Sequence, residues 1–172
     1  VADNTLVFFT SDNGPEEDSY PDSGVTPFRG AKGMTTEGGV RVPGLFWWPG
    51  MIKGGRVSDG LFDLSDMFNT SLSLAGVDAQ KLIPADRYID GIDQSGFLLA
   101  DIGQSAREAI FYYNADMMAG VRWRYYKMAL SEMEVGSGNV HDFGGLDNVH
   151  LLLPPSGYMY NLYLDPRERK TV

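Results

Sequence analysis

No cysteine occurs among the 172 residues. Disulfides, zinc–thiolate centres and a cysteine nucleophile are therefore excluded from this chain, while the redox compartment stays open. Histidine is scarce: the chain has 2, His141 and His150, and neither sits in a His-Glu-x-x-His spacing. Positive charge is in deficit. With 14 Lys and Arg against 23 Asp and Glu, the formal net charge is −9, which disfavours nucleic acid or an anionic membrane as a partner. An anionic substrate would need local cations or a metal to offset that field. No apolar run approaches the ~20 residues of a membrane span. There is no Walker A loop, because Gly24 to Lys32 has the wrong spacing and Gly33 replaces the Ser or Thr. Asp86, Asp90 and Asp93 do not match an EF-hand. Val1 stands directly before a strand-like run without a basic and apolar leader, so the sequence is expected to be a fragment or a processed product.

What is present is ordinary for a globular protein: 43% hydrophobic and 22% charged residues, enough to build a core. Leu6-Val7-Phe8-Phe9 is a short apolar run that fits a strand buried on both faces, as in a parallel sheet covered by helices. Val42 to Trp48 reads as a second strand and Val57 to Asp63 as a third. Leu64, Phe68, Leu72 and Ala75 recur at helical spacing, with Ser65 as N-cap and Gly76 as the C′ stop. Asp90-Gly91 marks a turn, and Phe97 to Ala100 a helical turn. The character then changes. Ala109–Tyr113, Ala119–Trp123 and Tyr125–Leu130 are short aromatic-rich runs that read as antiparallel strands, 131–150 as a loop, and Met159–Leu164 as a last strand. The expected organisation is an α/β portion over 1–100 and a small antiparallel portion over 101–172.

Chemistry concentrates near the start. Asp12 and Asn13 close the first strand, and in open α/β sheets ligands collect beyond the carboxyl ends of strands. A carboxylate and an amide carbonyl are hard oxygen donors suited to Ca²⁺ or Mg²⁺, although Ca²⁺ wants ~6–8 oxygens and needs further ligands. Twenty positions on, Lys32 sits in a glycine-rich loop, a compact cation able to hold an oxyanion beside a metal. Each part has a bland reading. Asp-Asn-Gly after a strand is also an ordinary turn, in which Gly takes positive φ, and a lone lysine is usually solvated. The ordered combination is more specific than either.

That combination resembles type I sulfatases (arylsulfatases) of the alkaline phosphatase superfamily, in their C-terminal part. Ser11-Asp12-Asn13-Gly14 is similar to the family's metal-binding strand end, which implies Asp12 and Asn13 as Ca²⁺ ligands. Phe28-Arg29-Gly30-Ala31-Lys32-Gly33 is similar to the Arg-Gly-x-Lys-Gly loop whose lysine contacts sulfate, a catalytic and substrate-binding role that Lys32 would inherit. Glu37-Gly38-Gly39-Val40-Arg41-Val42-Pro43 continues the motif. Weaker likenesses are Leu64 to Thr70, where Asn69 stands at a usual proline; Asp90-Gly91-Ile92-Asp93; Ala119-Gly120-Val121-Arg122 with Tyr126-Lys127; and Leu162-Tyr163-Leu164-Asp165-Pro166. The implied fold is the C-terminal portion of an alkaline-phosphatase-like α/β core followed by a small antiparallel subdomain. The family nucleophile, a Cys or Ser of a Cys/Ser-x-Pro-x-Arg motif oxidised to formylglycine, has no counterpart here and is expected upstream.

The expectation is therefore a piece of a sulfuric ester hydrolase, inactive alone, that acts on a sulfate ester in the complete enzyme and self-associates or contacts its own N-terminal portion. The resemblance implies a periplasmic, secreted or lysosomal location. The alternatives are a piece of a superfamily phosphodiesterase or phosphonate hydrolase, or a non-catalytic binding domain. Among the remaining residues, Glu37 and Arg41 read as a loop-bracing ion pair, and Trp47, Trp48 and Trp123 as core or interface. Met117-Met118 reads as packing, and His141 and His150 lie in or beside the glycine-rich loop, a place from which they could line a substrate entrance.

Overall fold

A computed structural model of the chain describes residues 1–16, 24–101, 103–114, 116–133, 151–152 and 157–172. They fall into two compact units, Val1–Thr10 with Gly44–Glu108, and Ser11–Pro43 with Ala109–Val172. The grouping interleaves along the chain, whereas the sequence reading placed a single boundary near residue 100.

In the first unit, β1 (Val7–Thr10) pairs antiparallel with β2 (Gly44–Trp47), Phe8 opposite Phe46 and Phe9 opposite Leu45. The expected parallel, doubly covered strand is thus an antiparallel pair. Its apolar residues still serve two faces. Phe8 stacks on Phe46 at 4.4 Å, with Phe62 tilted against both, whereas Val7, Phe9, Leu45 and Trp47 are exposed. Val57 to Asp63 forms no strand. Its backbone is claimed by side chains instead: Ser58 Oγ accepts from Gly60 N, and Leu61 O accepts from Ser105 Oγ and Gln94 Nε2, an alternative to ladder bonding.

The predicted helix is α2 (Asp66–Leu74); α1 (Glu37–Val40) precedes it in the chain and belongs to the second unit. Gly76 has φ +73°, and its N–H bonds Ser73 O while Val77 N–H bonds Leu72 O. This is the paired pattern of a Schellman stop. Ser65 occupies the N-cap place, but its hydroxyl donates to Asp63 Oδ1 at 2.6 Å rather than capping. Two short helices follow, α3 (Ala79–Leu82) and α4 (Ser95–Leu99).

The heart of this unit is polar. Asp66 is fully buried and accepts from Arg107 Nε, Ile92 N, Asp63 N and Gln94 Nε2. Burial pushes its carboxyl up, but the hydrogen bonds from Arg107 and the two backbone N–H groups outweigh this and hold it below the usual aspartate value. Thr70 Oγ1 accepts from Gln94 N, and Asn69 Nδ2 reaches Gly91 O. At Gly91 a Cβ would lie 2.1 Å from Ser65 O, so the Asp-Gly turn is required by close backbone approach.

The second unit is built on an antiparallel sheet in the order β3 (Ala109–Asn114), β4 (Met117–Trp123), β5 (Tyr126–Ala129), β8 (Tyr158–Asn161), as the aromatic runs predict. A short pair, β6 (Glu132–Met133) and β7 (Leu151–Leu152), falls between β5 and β8 in sequence. His141 and His150 lie outside the described residues. Register aligns Ile110, Arg122, Lys127 and Tyr160 in one row across the sheet. Ala119, Ala129, Tyr160 and Leu162 are buried. The opposite row, Phe111, Met128 and Met159, is exposed, as are Trp123, read from the sequence as core or interface, and the Met117-Met118 pair, read as packing.

Candidate functional site

All three predicted site residues lie in the second unit. Ser11 to Gly14 forms a bend in which Ser11 Oγ donates to Asn13 O. Gly14 is buried, and a Cβ there would lie 1.8 Å from Gly38 O. Its φ is not among the positive values. The glycine is therefore needed because another backbone passes close by, not because an ordinary turn demands positive φ. Gly14 N–H bonds Gly39 O at 2.8 Å. The Glu37-Gly38-Gly39 stretch packs equally tightly on the lysine loop, since Cβ atoms at Gly38 and Gly39 would meet Gly30 O and Met34 O at 2.0 and 2.1 Å.

The lysine loop is a left-handed turn on each side of Lys32: Gly30 has φ +85° and Gly33 φ +88°, values that side chains disfavour. Lys32 N–H bonds Pro15 O at 2.9 Å, two residues beyond Asn13. The two predicted motifs are thus hydrogen-bonded to each other. Asp12 is exposed and Asn13 half-buried. The Lys32 ammonium rests 3.2 Å from Glu16 Oε2, both side chains partly exposed. The anion that Lys32 holds here is a carboxylate from the same segment that carries Asp12 and Asn13. No group of three or more His, Cys, Asp or Glu able to hold a metal occurs among the described residues. Asp12 and Asn13 are a hard-oxygen pair, which fits Ca²⁺ or Mg²⁺ as part of a shell and not as a whole one.

Behind this loop lies a buried ion cluster that local spacing did not reveal. Glu37, with no solvent exposure, receives Arg122 Nη1 at 3.0 Å and Lys127 Nζ at 3.2 Å, with Arg41 Nη1 further off at 3.8 Å. The predicted Glu37–Arg41 brace exists, but it is the weakest contact of the set. Glu37 N–H donates to Glu168 Oε2 at 2.7 Å, and Lys127 bridges to Glu168 Oε1 at 3.0 Å. Tyr112 lies beneath, with Lys127 Nζ 4.8 Å from its ring centre. Burial pushes the Tyr112 hydroxyl up, and the Glu37 carboxylate adds to the shift. The one sequence signal for this cluster is Lys127, a charge at an inward position of an alternating strand.

Comparisons with known proteins agree on one family. Residues 1–77 match the Sulfatase family model. N-acetylgalactosamine-6-sulfatase of Canis lupus familiaris is 46% identical over 129 residues, which are 74% of this chain and 24% of that protein. Steryl-sulfatase of Rattus norvegicus is 38% identical over 130 residues, 72% of this chain and 22% of that one. The crystal structure of PsFucS1 sulfatase from Pseudoalteromonas sp. superposes with a TM-score of 0.87 at 43% identity, covering 99% of this chain and 33% of that chain. The fold is that of the alkaline-phosphatase-like α/β class to which these structures belong. The chain belongs to the sulfatase family. It spans about a quarter of the length of the curated relatives it matches.

Proposed function

We propose that this chain contributes part of the metal and sulfate site of a sulfuric ester hydrolase. The observation that carries the reading is the hydrogen-bonded union of the Asp12–Asn13 bend with the Lys32 loop, through Gly14–Gly39 and Lys32–Pro15, in a sulfatase-family sequence. Asp12 and Asn13 would hold a divalent cation, which when bound supplies polarisation of sulfate oxygens. Lys32 places a fixed positive charge for an oxyanion, of most value where charge grows in the transition state. A substrate sulfate would replace Glu16 as its partner.

The relatives named for N-acetylgalactosamine-6-sulfate and steryl sulfate hydrolysis support a sulfate ester over a phosphodiester. The 172 residues contain neither cysteine nor a Ser-x-Pro-x-Arg run, so we propose that they do not hydrolyse sulfate esters by themselves. The test uses the whole protein with an aryl sulfate. Asp12→Ala and Lys32→Ala are each expected to lower kcat/KM by about 10²–10³, the scale of losing one preorganised electrostatic contact, and a calcium chelator should lower turnover reversibly. Preferred turnover of an aryl phosphodiester, or full activity in Lys32→Ala, would refute the reading. Metal-dependent turnover by the 172 residues alone would refute the inactivity.

A further inference from the structure

The lysine loop and the segment around Arg167 line an open, cationic surface pocket that the site above does not use. A cavity of about 370 Å³ is lined by Thr26, Pro27, Phe28, Arg29, Arg167 and Arg169. Three of the 14 basic residues of a chain of net charge −9 converge there. Guanidinium groups stay charged at any working pH, and their planar fork matches the oxygens of carboxylates and tetrahedral oxyanions. Phe28 and Pro27 add apolar wall, and the Arg41 guanidinium lies 4.5 Å over the Phe28 ring.

The arginines hang from fixed backbone. Between Arg167 and Arg169, Glu168 is buried, with φ +52°, and its carboxylate is held by Glu37 N–H and Lys127. Asp165 Oδ2 accepts from the Arg169 and Lys170 N–H groups. Arg29 Nη1 donates to Glu168 O at 3.2 Å, tying the opposite wall to the same post. These bonds fix the backbone of the turn that carries Arg167 and Arg169, and the Asp165 carboxylate also lies in the field of the Arg169 charge; a fixed turn lowers the ordering cost of presenting the guanidinium groups.

We propose that this pocket binds an oxyanion, and that it receives a second sulfate or carboxylate group of a substrate whose first anionic group is held at Lys32. Arg29 and Lys32 are three residues apart, so their backbones are no more than about 11 Å from each other, a span that one polyanionic molecule can bridge. The substrate half rests on the proposed function; the anion site does not.

The test has two arms on the whole protein. In the first, sodium sulfate is titrated while the side-chain Nε–Hε resonances of Arg29, Arg167 and Arg169 are followed, with sodium chloride at equal ionic strength as control. Saturable shifts with sulfate alone are expected, weakened at least 10-fold in Arg167→Ser/Arg169→Ser and retained in Lys32→Ala. Equal shifts in both salts, or loss in Lys32→Ala with retention in the double variant, overturn the site. In the second arm, KM is measured for an aryl monosulfate and for an aryl sulfate carrying a second sulfate group. The double variant should raise KM for the dianion at least 5-fold more than for the monoanion; equal changes overturn the substrate assignment. Failure of all sulfate ester turnover with the resonance shifts intact would remove the function proposed above and leave the anion site standing.

Discussion

A carboxylate without solvent contact must find its counter-charges inside the protein, and Glu37 finds them in Arg122 and Lys127, 85 and 90 positions away. Two buried acids, Glu37 and Glu168, share one buried lysine. Removing that lysine takes from Glu168 and Glu37 the buried cation they share and leaves Glu37 to Arg122 and the more distant Arg41, the costly direction for a buried ion pair. Lys127→Met is expected to destabilise the protein by about 3–5 kcal/mol in urea unfolding; a change below 1 kcal/mol would show that the cluster is dispensable. At Gly14 the constraint is steric. Gly14→Ala drives a methyl group into the Gly38 carbonyl, and about 1–3 kcal/mol of overpacking is expected, with weakened anion binding at Lys32 because the two loops are tied there. Wild-type melting and wild-type sulfate affinity in that variant would disprove the crossing.

At the scale of elements, helix α2 depends on both of its ends. Its exit uses Gly76 at positive φ, so Gly76→Ala is expected to cost about 1–2 kcal/mol, read from the melting temperature. Its entrance is pinned by Asp66. The folded-state carboxyl is held below its unfolded value of about 3.9, so the unfolded chain binds more protons in that window. The stabilisation is complete above the unfolded value and is lost as pH falls through the folded one. Denaturant melts between pH 5 and pH 2 should therefore show stability declining with acid. Asp66→Asn should flatten that slope while lowering stability at pH 7; an unchanged slope would dissociate Asp66 from acid sensitivity. The strands divide by how much their pattern said. Alternation in Tyr126 to Ala129 made one face buried and the other exposed, and the aromatic strands formed where they were expected. The Leu6 to Phe9 run carried no alternation, and nothing local distinguished a parallel neighbour from the antiparallel partner it has.

For the whole molecule, two apolar surfaces stand out, one on each unit: Val7, Phe9, Leu45 and Trp47 on β1–β2, and Phe111, Met128 and Met159 on the larger sheet. A two-stranded sheet is marginal unless further surface covers it, and contiguous exposed apolar patches favour association. We propose that the 172-residue chain self-associates. Sedimentation velocity at tens of micromolar is expected to show species larger than a monomer, and a single monomeric boundary would contradict this.

Composition and motif order by themselves determined what chemistry is available: no thiol, a hard-oxygen pair at Asp12–Asn13, a lysine framed by glycines, and the family those motifs mark. They did so because ligand type, charge and glycine tolerance are properties of single residues and short spacings. Only the tertiary structure decided that Gly14 is a crossing rather than a turn, that Glu37 answers to Arg122, Lys127 and Glu168 rather than chiefly to Arg41, and that Arg29 shares a pocket with Arg167 and Arg169. Each of those depends on segments distant in sequence being brought within a few ångströms, and a pairing that long leaves no period or spacing in the chain to read.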